Sequence, residues 1–567
     1  MKDVIIQLVS DGISELQNND VWSNFVVSNI VVERPSDMSH GDWTTNVSFI
    51  IAKELKKSPF EIAQELSEVL AQNNVKNIAS VEAVQPGYIN FMLDRRVLVQ
   101  ELDNIITMGD AYGSNDSLKD KKITVEYTQP NPFKPFHIGH LMSNTIGESL
   151  AQIVEFSGAS VVRANYQGDV GPHVAKAIWG LQKLNYDPAD MANIGEAYVY
   201  GHAAATDDEQ AKKEIDKINA AVYHKSDEEI MKIYEIGRTK TLEHFEEIYK
   251  ILGTKFDVYY FESEVWQRGE EIVRENMGKI FEDSEGAIIF DGEKYDLHKR
   301  VFITSKGLPT YEAKEMGLAF LKKETNPSDT YIVTTAVEQD EYFKVVKKAL
   351  ELIDESFVGK IQHVSHGMMQ LASGKMSSRK GNVITGESLI IDAQEIAKEK
   401  MSDRALGDTS EDIINAIAVA GIKFNVLKQR AGKNITYDPD IALSFDGDSG
   451  PYVQYTYARC QSIKTKAKEN NIVAKCINPG DDSVDIEKIL TQFPEVVERA
   501  EIEYAPHHIA NYLLELVHAY NSYYADNIIV DVDYVERSEY RIAVTAAVAQ
   551  VIKNGMNLLG IRVPEKM

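Results

Sequence analysis

Two imidazoles, His137 and His140, bracket Gly139 in the segment NPFKPFHIGHLMSN, residues 131–144. Imidazoles so placed can donate hydrogen bonds to charge developing on a transferring phosphoryl group, and a glycine between them lets an adenine ring or a phosphate approach the backbone. The segment follows an apolar, β-rich stretch, KITVEYTQP, and opens a long helical pattern, GHLMSNTIGESLAQIVEFSG. A helix N-terminus there offers unpaired N–H groups and the positive end of the dipole to an anion. Read alone, His-x-Gly-His also fits four common residues in a turn. About 240 residues further on, SGKMSSRKGN at 373–382 is either an exposed basic loop or a loop whose cations close over a polyphosphate. No Gly-Lys pair is followed by Ser or Thr and no HExxH occurs, which removes a P-loop and a zincin site. The two cysteines, Cys460 and Cys476, form no CxxC pair. A disulfide framework and a cysteine zinc ribbon are therefore excluded, and a reducing, cytoplasmic compartment is expected.

The elements that must position these residues can be read from pattern. Pro130, Pro132 and Pro135 forbid a helix before residue 137, so the first strand ends in a loop and the helix begins at the histidines. A second strand follows in ASVVRANYQGD. Strand, helix, strand implies a right-handed crossover and a parallel sheet with its ligand crevice at the strand C-termini. A charged helical insertion occupies about 183–250, and further strands are expected in AIIF, RVFITS, TYIVTTAV and KIQHVSHGM, with a helix in DEYFKVVKKALELI. This α/β core is expected at 114–400. Before it, residues 1–113 mix strands such as GYINFML with helices such as SPFEIAQELSEVLAQNN, where Ser58 is the expected N-cap and Pro59 the first helical residue. After it, 401–567 reads as helices throughout.

Composition agrees with this division. At roughly 150 residues per domain, 567 residues predict three or four domains. The 44% hydrophobic and 26% charged content is that of an ordinary globular chain, and the net charge of −27 excludes a protein that coats nucleic acid indiscriminately. Local basic patches can still hold a nucleic acid. No stretch approaches the ~20 apolar residues of a membrane span, and the opening MKDVIIQLVSDGISELQ reads as an amphipathic helix rather than a signal peptide.

The HIGH segment followed at long distance by a KMSKS-like loop, on an α/β chain with an insertion and a helical C-terminal part, resembles the class I aminoacyl-tRNA synthetases. VEYTQPNPFKPFHIGHLM, NYQGDVG, TYEAKEMGL, VEQDEYF, GPYVQYTYAR and LLGIRVPEKM are similar to the arginyl-tRNA synthetases among them. HGDWTTNVSFIIAKELKKSP and QPGYINFML resemble that family's appended tRNA-elbow-binding domain. The resemblance implies a Rossmann-like catalytic core, an N-terminal α+β appended domain and a C-terminal all-α anticodon-binding domain. It implies an arginine–tRNA ligase that activates L-arginine with ATP to arginyl adenylate and passes it to the 3′ end of tRNA(Arg). Mg²⁺ is expected to accompany ATP, with no metal ligands in the protein, no membrane partner, and a monomeric enzyme. The family also implies that adenylate formation requires bound tRNA.

Residue by residue, the resemblance implies that His137, Gly139, His140, Lys375, Met376 and Ser377 hold ATP. His137, His140, Lys375 and Lys134 would act on the transferring phosphate. Ser378 stands where the usual loop has a second lysine, so another cation must replace it, with Lys134, Arg379 and Lys380 as candidates. The family pattern favours the lysine just upstream of HIGH. Glu126, Gln129 and Asn131 would line the arginine pocket at the first strand end, with Glu126 on the α-ammonium or the guanidinium. Tyr311, Glu315 and Gln339 would complete it, Glu315 being a methylene longer than the family's usual Asp. A carboxylate with Tyr and Gln suits arginine, whose planar five-donor fork wants bidentate acceptors. For tRNA, Tyr452, Tyr455 and Arg459 stand at i, i+3 and i+7 on one helix face, a pattern that serves base stacking or a core stripe equally. The family's terminal Met matches Met567. Two further readings are a catalytically silent tRNA-binding paralogue and a small-molecule nucleotidyltransferase sharing HxGH; the latter has no use for the helical part carrying YVQYTYAR.

Overall fold

A computed structural model describes residues 1–27, 29–35, 37–73, 76–372, 385–403 and 410–567. Lys375, Met376 and Ser377, together with Ser378, Arg379 and Lys380, lie outside the described residues. The chain divides into two compact units, one of residues 1–109, 463–492 and 519–550, the other of 110–462, 493–518 and 551–567. The helical last third, expected as one block, contributes to both.

In the first unit, α1 (Lys2–Asn18), β1 (Val32–Glu33), β2 (Trp43–Thr45), α2 (Val47–Leu55), α3 (Pro59–Gln72), β3 (Ile78–Val84), β4 (Tyr88–Leu93) and α4 (Arg95–Met108) follow in order. The strands form an antiparallel sheet in the order β1-β2-β4-β3. The apolar faces of α1 (Ile5, Val9, Ile13) and α3 (Ile62, Leu66, Leu70) cover Trp43, Ile89 and Phe91. Helix α3 starts where expected: the Ser58 hydroxyl accepts from the Glu61 N–H, the Glu61 side chain reaches back to the Ser58 backbone, and Pro59 fills the first position.

The second unit holds the parallel sheet. Its elements run β5 (Lys122–Glu126), α5 (Ile138–Phe156), β6 (Ser160–Gln167), α6 (Pro172–Leu184), the helical insertion α7 (Met191–Asp207), α8 (Glu209–His224) and α9 (Glu228–Leu252), then β7 (Val258–Phe261) and α10 (Glu262–Glu275). After β8 (Phe281–Ser284), β9 (Ala287–Phe290) and β10 (Arg300–Ile303) come α11 (Tyr311–Thr325), β11 (Thr330–Ala336), α12 (Asp340–Ile353) and β12 (Ile361–His366). The five strands β12-β11-β5-β6-β7 pair in parallel, with Glu126 in register with Ala164 and Val333. All C-terminal strand ends therefore open on one crevice. Two of the expected strands differ in placement. AIIF and RVFITS do not join the parallel sheet; with β8 they make a separate antiparallel sheet, β10-β9-β8, whose Phe281, Phe290 and Phe302 pack on α10 and α11. The parallel sheet takes its edge instead from β7, a four-residue strand the sequence pattern did not mark.

The chain continues through β13 (Met369–Leu371), α13 (Gly386–Asp403), α14 (Glu411–Leu427), β14 (Ile435–Tyr437), α15 (Pro439–Ala442) and α16 (Gly450–Glu469). It ends with α17 (Val484–Leu490), α18 (Phe493–Ile502), α19 (His507–Asp526) and α20 (Val535–Leu558). Strand β13 pairs with β14 in parallel. Among the described residues no helix is long and apolar enough to cross a membrane.

Candidate active site

The loop from β5 to α5 is unusual in its backbone. Thr128, Gln129 and Phe133, none of them glycine, have φ of 79°, 51° and 64°. Such left-handed positions cost of order 1–3 kcal/mol each and persist only where surrounding structure dictates them. Here the Phe133 ring is fully buried and stacks on Tyr234 of α9 at 6.2 Å, against Gly237, where a Cβ would come within 2.4 Å of the ring. Gln129 donates its N–H to Asn165 at 3.2 Å, and Asn131 accepts the Gly168 N–H at 3.0 Å. The loop is thus tied to the end of β6, and it delivers the chain to His137, the N-cap of α5.

His137 and His140 cap the helix reciprocally. The His137 Nδ1 accepts the His140 N–H at 3.3 Å, the His140 Nδ1 accepts the His137 N–H at 3.2 Å, and the rings stack with centroids 3.4 Å apart. Gly139 makes this possible, because a Cβ there would lie 3.0 Å from the His137 ring. Burial, with Lys134 and His366 nearby, pulls His137 down to about 4. Burial, then His137, pulls His140 well below its ordinary value. Both rings are neutral at pH 7. Since each Nδ1 is an acceptor, each ring carries its proton on Nε2, the nitrogen left to donate.

A cavity of about 540 Å³ lies beyond them at the C-terminal ends of the strands. It is lined by the expected Glu126, Gln129, Asn131, His137, Gly139, His140, Tyr311, Glu315 and Gln339. Tyr311 stands at its mouth, 60% exposed, and Glu315 inside, 8% exposed. Lys134 is not among the lining residues; its Nζ lies 5.6 Å from the Tyr198 ring of α7. Burial and the neighbouring Lys176 lower its pKa.

The charges of the crevice explain its floor. Four lining carboxylates are buried. Glu126 meets Lys322 at 2.6 Å, Glu262 meets Lys314 at 2.8 Å, and Glu312 lies 3.7 Å from Arg300. Glu315 alone of the four has no cation within ion-pair distance among the described residues. Burial and the adjacent Glu126 push its carboxyl up to about 8, against the pull of Lys322. Glu315 is therefore the one buried acid of the four that stands outside an ion pair among the described residues. Lys314, Lys322, Glu262, Tyr166, Tyr342 and His366 were not anticipated from the sequence. One signal existed: Glu315, Leu318, Ala319 and Lys322 are all buried at i, i+3, i+4 and i+7, so Lys322 shares the core-facing stripe of α11.

The second signature segment is outside the described residues, but the residues that follow it are placed. Gly386 donates its N–H to the Phe136 carbonyl at 2.7 Å, and Thr385 bridges His137. Residues about 250 positions apart in sequence thus meet beside the histidines.

On α16, Tyr452, Tyr455 and Arg459 are each partly buried and share one face. The Tyr455 ring meets Phe445 edge-on at 6.3 Å, the Arg459 guanidinium lies 4.9 Å from the Tyr455 ring, and Tyr452 is 5.4 Å from His518. Met567 packs on the same apolar cluster as Tyr455.

Residues 101–438 match the family profile "tRNA synthetases class I (R), catalytic domain". Residues 3–93 match "Arginyl tRNA synthetase N terminal domain", and 453–567 match "DALR anticodon binding domain". The arginine–tRNA ligase of Limosilactobacillus reuteri (strain DSM 20016) is 31% identical over 546 residues, 94% of this chain and 95% of the relative. That of Halothermothrix orenii is 29% identical over 575 residues, 100% of this chain and 99% of the relative. Among solved structures, the Thermus thermophilus arginyl-tRNA synthetase superposes with a TM-score of 0.80 at 22% identity, covering 100% of both chains. The Plasmodium falciparum one gives 0.79 at 19%, covering 100% of this chain and 99% of the other. These two likenesses establish the fold.

Proposed function

The chain belongs to the class I arginyl-tRNA synthetase family, and from that premise we propose how its crevice carries the reaction. The reaction is that of an arginine–tRNA ligase: the arginine carboxylate attacks the α-phosphorus of ATP, pyrophosphate leaves, and a terminal ribose hydroxyl of tRNA(Arg) then takes the arginyl group, releasing AMP. No covalent enzyme intermediate is needed, so the protein's work is positioning and charge stabilisation. The observation that carries the assignment of the pocket is Glu315, the one buried acid outside an ion pair among the described residues, in a crevice whose other buried carboxylates have cations. A guanidinium would stabilise the ionised carboxylate and span its two oxygens.

In this reading Glu315 holds the guanidinium with Tyr311 and Gln339 beside it. Asn131 and Gln129 position the α-amino-acid end. Glu126 acts there through Gln129, whose Nε2 it accepts at 2.9 Å, its other oxygen being held by Lys322. His137 and His140 donate Nε2–H to the α-phosphate oxygens as charge builds, and Gly139, Lys375, Met376 and Ser377 complete the ATP site. Lys134 replaces the missing second loop lysine by turning from Tyr198. Tyr452, Tyr455, Arg459 and Met567 form the anticodon face. The described residues hold no cluster of three or more His, Cys, Asp or Glu arranged for a metal. In the proposal Mg²⁺ accompanies ATP on its phosphates, where it would neutralise charge. The same proposal takes the enzyme as a cytoplasmic monomer divided at 113/114 and 400/401, with bound tRNA required for adenylate formation.

The test is aminoacylation of total tRNA with each of the twenty amino acids in turn. Arginine alone should be charged. Charging of another amino acid, or of none, would overturn the assignment.

A further inference from the structure

Tyr166 is the penultimate residue of β6 and lines the crevice at the strand ends. Its ring packs with Ala164, Tyr260, Val265 and Leu318, which fixes the phenol direction. The hydroxyl is buried from bulk solvent and finds no hydrogen-bond partner among the described residues. That is unlike Tyr342 of α12, which also lines the crevice and whose hydroxyl donates to the Tyr311 carbonyl at 3.1 Å. A buried hydroxyl without a partner is costly, and native interiors hold few. The groups that bear on this phenol electrostatically are Glu262 of α10, Glu315 of α11, Tyr342 of α12 and Glu126 of β5. Three of the four are carboxyl groups, two of them already in ion pairs, so a ligand that brings N–H groups toward Glu315 can complete the hydrogen bonding of this hydroxyl.

Resting on the arginine-pocket reading above, the geometry points to Tyr166 as a further specificity-determining residue, whose hydroxyl oxygen accepts an N–H of the substrate guanidinium held by Glu315. A bidentate carboxylate uses two of the five N–H donors of a guanidinium, leaving three to be matched. The Tyr166 oxygen matches one of them through a lone pair. Lysine presents a single compact ammonium on a shorter reach and leaves the phenol unmatched. The neutral ureido group of citrulline offers a carbonyl where Glu315 requires a donor.

Tyr166→Phe removes only the oxygen and keeps the ring that packs against Val265 and Leu318. Binding is measured by calorimetry with saturating tRNA(Arg), per folded molecule, for arginine and for 5-guanidinopentanoate, which keeps the guanidinium and lacks the α-amine. The expected result is an affinity loss of about tenfold for both, the scale of one hydrogen bond to a charged group, with the KM for ATP unchanged. The preference for arginine over lysine should narrow by the same factor. If both ligands bind Tyr166→Phe within twofold of wild type while Glu315→Gln weakens them, Tyr166 only packs and the inference is overturned. If arginine weakens and 5-guanidinopentanoate does not, the hydroxyl faces the α-ammonium, which also overturns it. If Glu315→Gln leaves arginine binding unchanged as well, the pocket reading itself has failed, and the Tyr166 assignment falls with it.

Discussion

Glu315 sits almost sealed in the crevice with its carboxyl held up to about 8, whereas Tyr455 on α16 lies partly open, one edge on Phe445 and Arg459 beside its ring. The first region is made of charges brought together from β5, α10 and α11. The second is made of one helix and its period. A buried charge is costly without a partner, so each acid in the crevice answers for its neighbours, and removing one group changes the state of the rest. An aromatic face has no such coupling; its contributions are local and close to additive. Substitutions in the crevice should therefore move activation chemistry and its pH dependence, and substitutions on α16 should move tRNA affinity. Each prediction below can break that division.

The largest effect is expected at His140. In the proposed mechanism its Nε2–H acts on charge that exists only in the transition state, so His140→Ala should slow adenylate formation by about a hundred- to thousandfold, roughly 2.7–4 kcal/mol. Its tRNA affinity should stay near wild type. Single-turnover activation at an unchanged rate would reject the role. A parallel loss of tRNA binding would instead mean that α5 had lost its cap, since His140 also accepts the His137 N–H.

Next comes Lys134. The proposal has Lys134 meet the phosphoryl charge in place of the lysine that Ser378 replaces, and Lys134 is near enough to depress the His137 pKa. Lys134→Ala should lower the activation rate by about two orders of magnitude, one transition-state charge contact, and adding Ser378→Lys should restore part of it. Pyrophosphate exchange within about threefold of wild type, well under 1 kcal/mol, would shift the role to Arg379 or Lys380.

Glu315 carries the third prediction, with a pH signature. Its acid is raised in the empty pocket to about 8 by burial and Glu126, so at pH 7 it holds a proton there. A guanidinium stays charged throughout this range and wants the carboxylate. Arginine binding at pH 7 should therefore release a proton, and affinity should rise as pH climbs toward about 8, then level off. Calorimetry in two buffers of different ionisation heat reads the proton directly. Glu315→Gln should abolish the release and weaken arginine by about 1.5–3 kcal/mol, the worth of a hydrogen bond to a charged group. Flat affinity from pH 6 to 9 with no proton released would show that the acid is ionised before the substrate arrives.

What could be read from the sequence follows the same division. The strand, the loop and the helix around His137 were legible because prolines and an apolar period are local signals, and the Ser58 capping box likewise. The face Tyr452, Tyr455, Arg459 was legible because helical spacing alone places it. The ion pairs were not: Glu126 and Lys322 are 196 residues apart, Glu262 and Lys314 are 52 apart, and no local pattern links either pair. In KEMGLAFLKKE a lysine reads as solvated, although Lys322 falls on the buried stripe of α11. Tyr166 was passed over because a tyrosine at a strand end is ordinary; what marks it is a crevice position combined with a hydroxyl that has no hydrogen-bond partner among the described residues, which only the folded chain reveals. The short edge strand Val258–Phe261 has four residues, too few for a period, and it exists because β6 offers it a ladder.

The smallest expected effect is at Tyr455, and there the helix face meets its own ambiguity. Base stacking on an aromatic ring is worth about 1–3 kcal/mol, so Tyr455→Ala should weaken tRNA(Arg) by roughly 5- to 150-fold while leaving the activation rate at saturating tRNA unchanged. The ring also packs on Phe445 and the apolar cluster that includes Met567, so the same substitution should lower the melting temperature. Tyr455→Phe separates the two contributions, because it keeps both the packing and a π face: tRNA affinity should return to nearly wild type along with stability. Arg459→Gln completes the test, since a cation on a phosphate shifts the slope of log affinity against log salt by roughly one, and a cation resting only on a ring does not. If Tyr455→Ala melts early yet binds tRNA normally per folded molecule, and Arg459→Gln leaves the salt slope alone, this face of α16 belongs to the core. In that case tRNA must be recognised on another surface, and the contrast between a coupled crevice and an additive helix face would no longer hold for this enzyme.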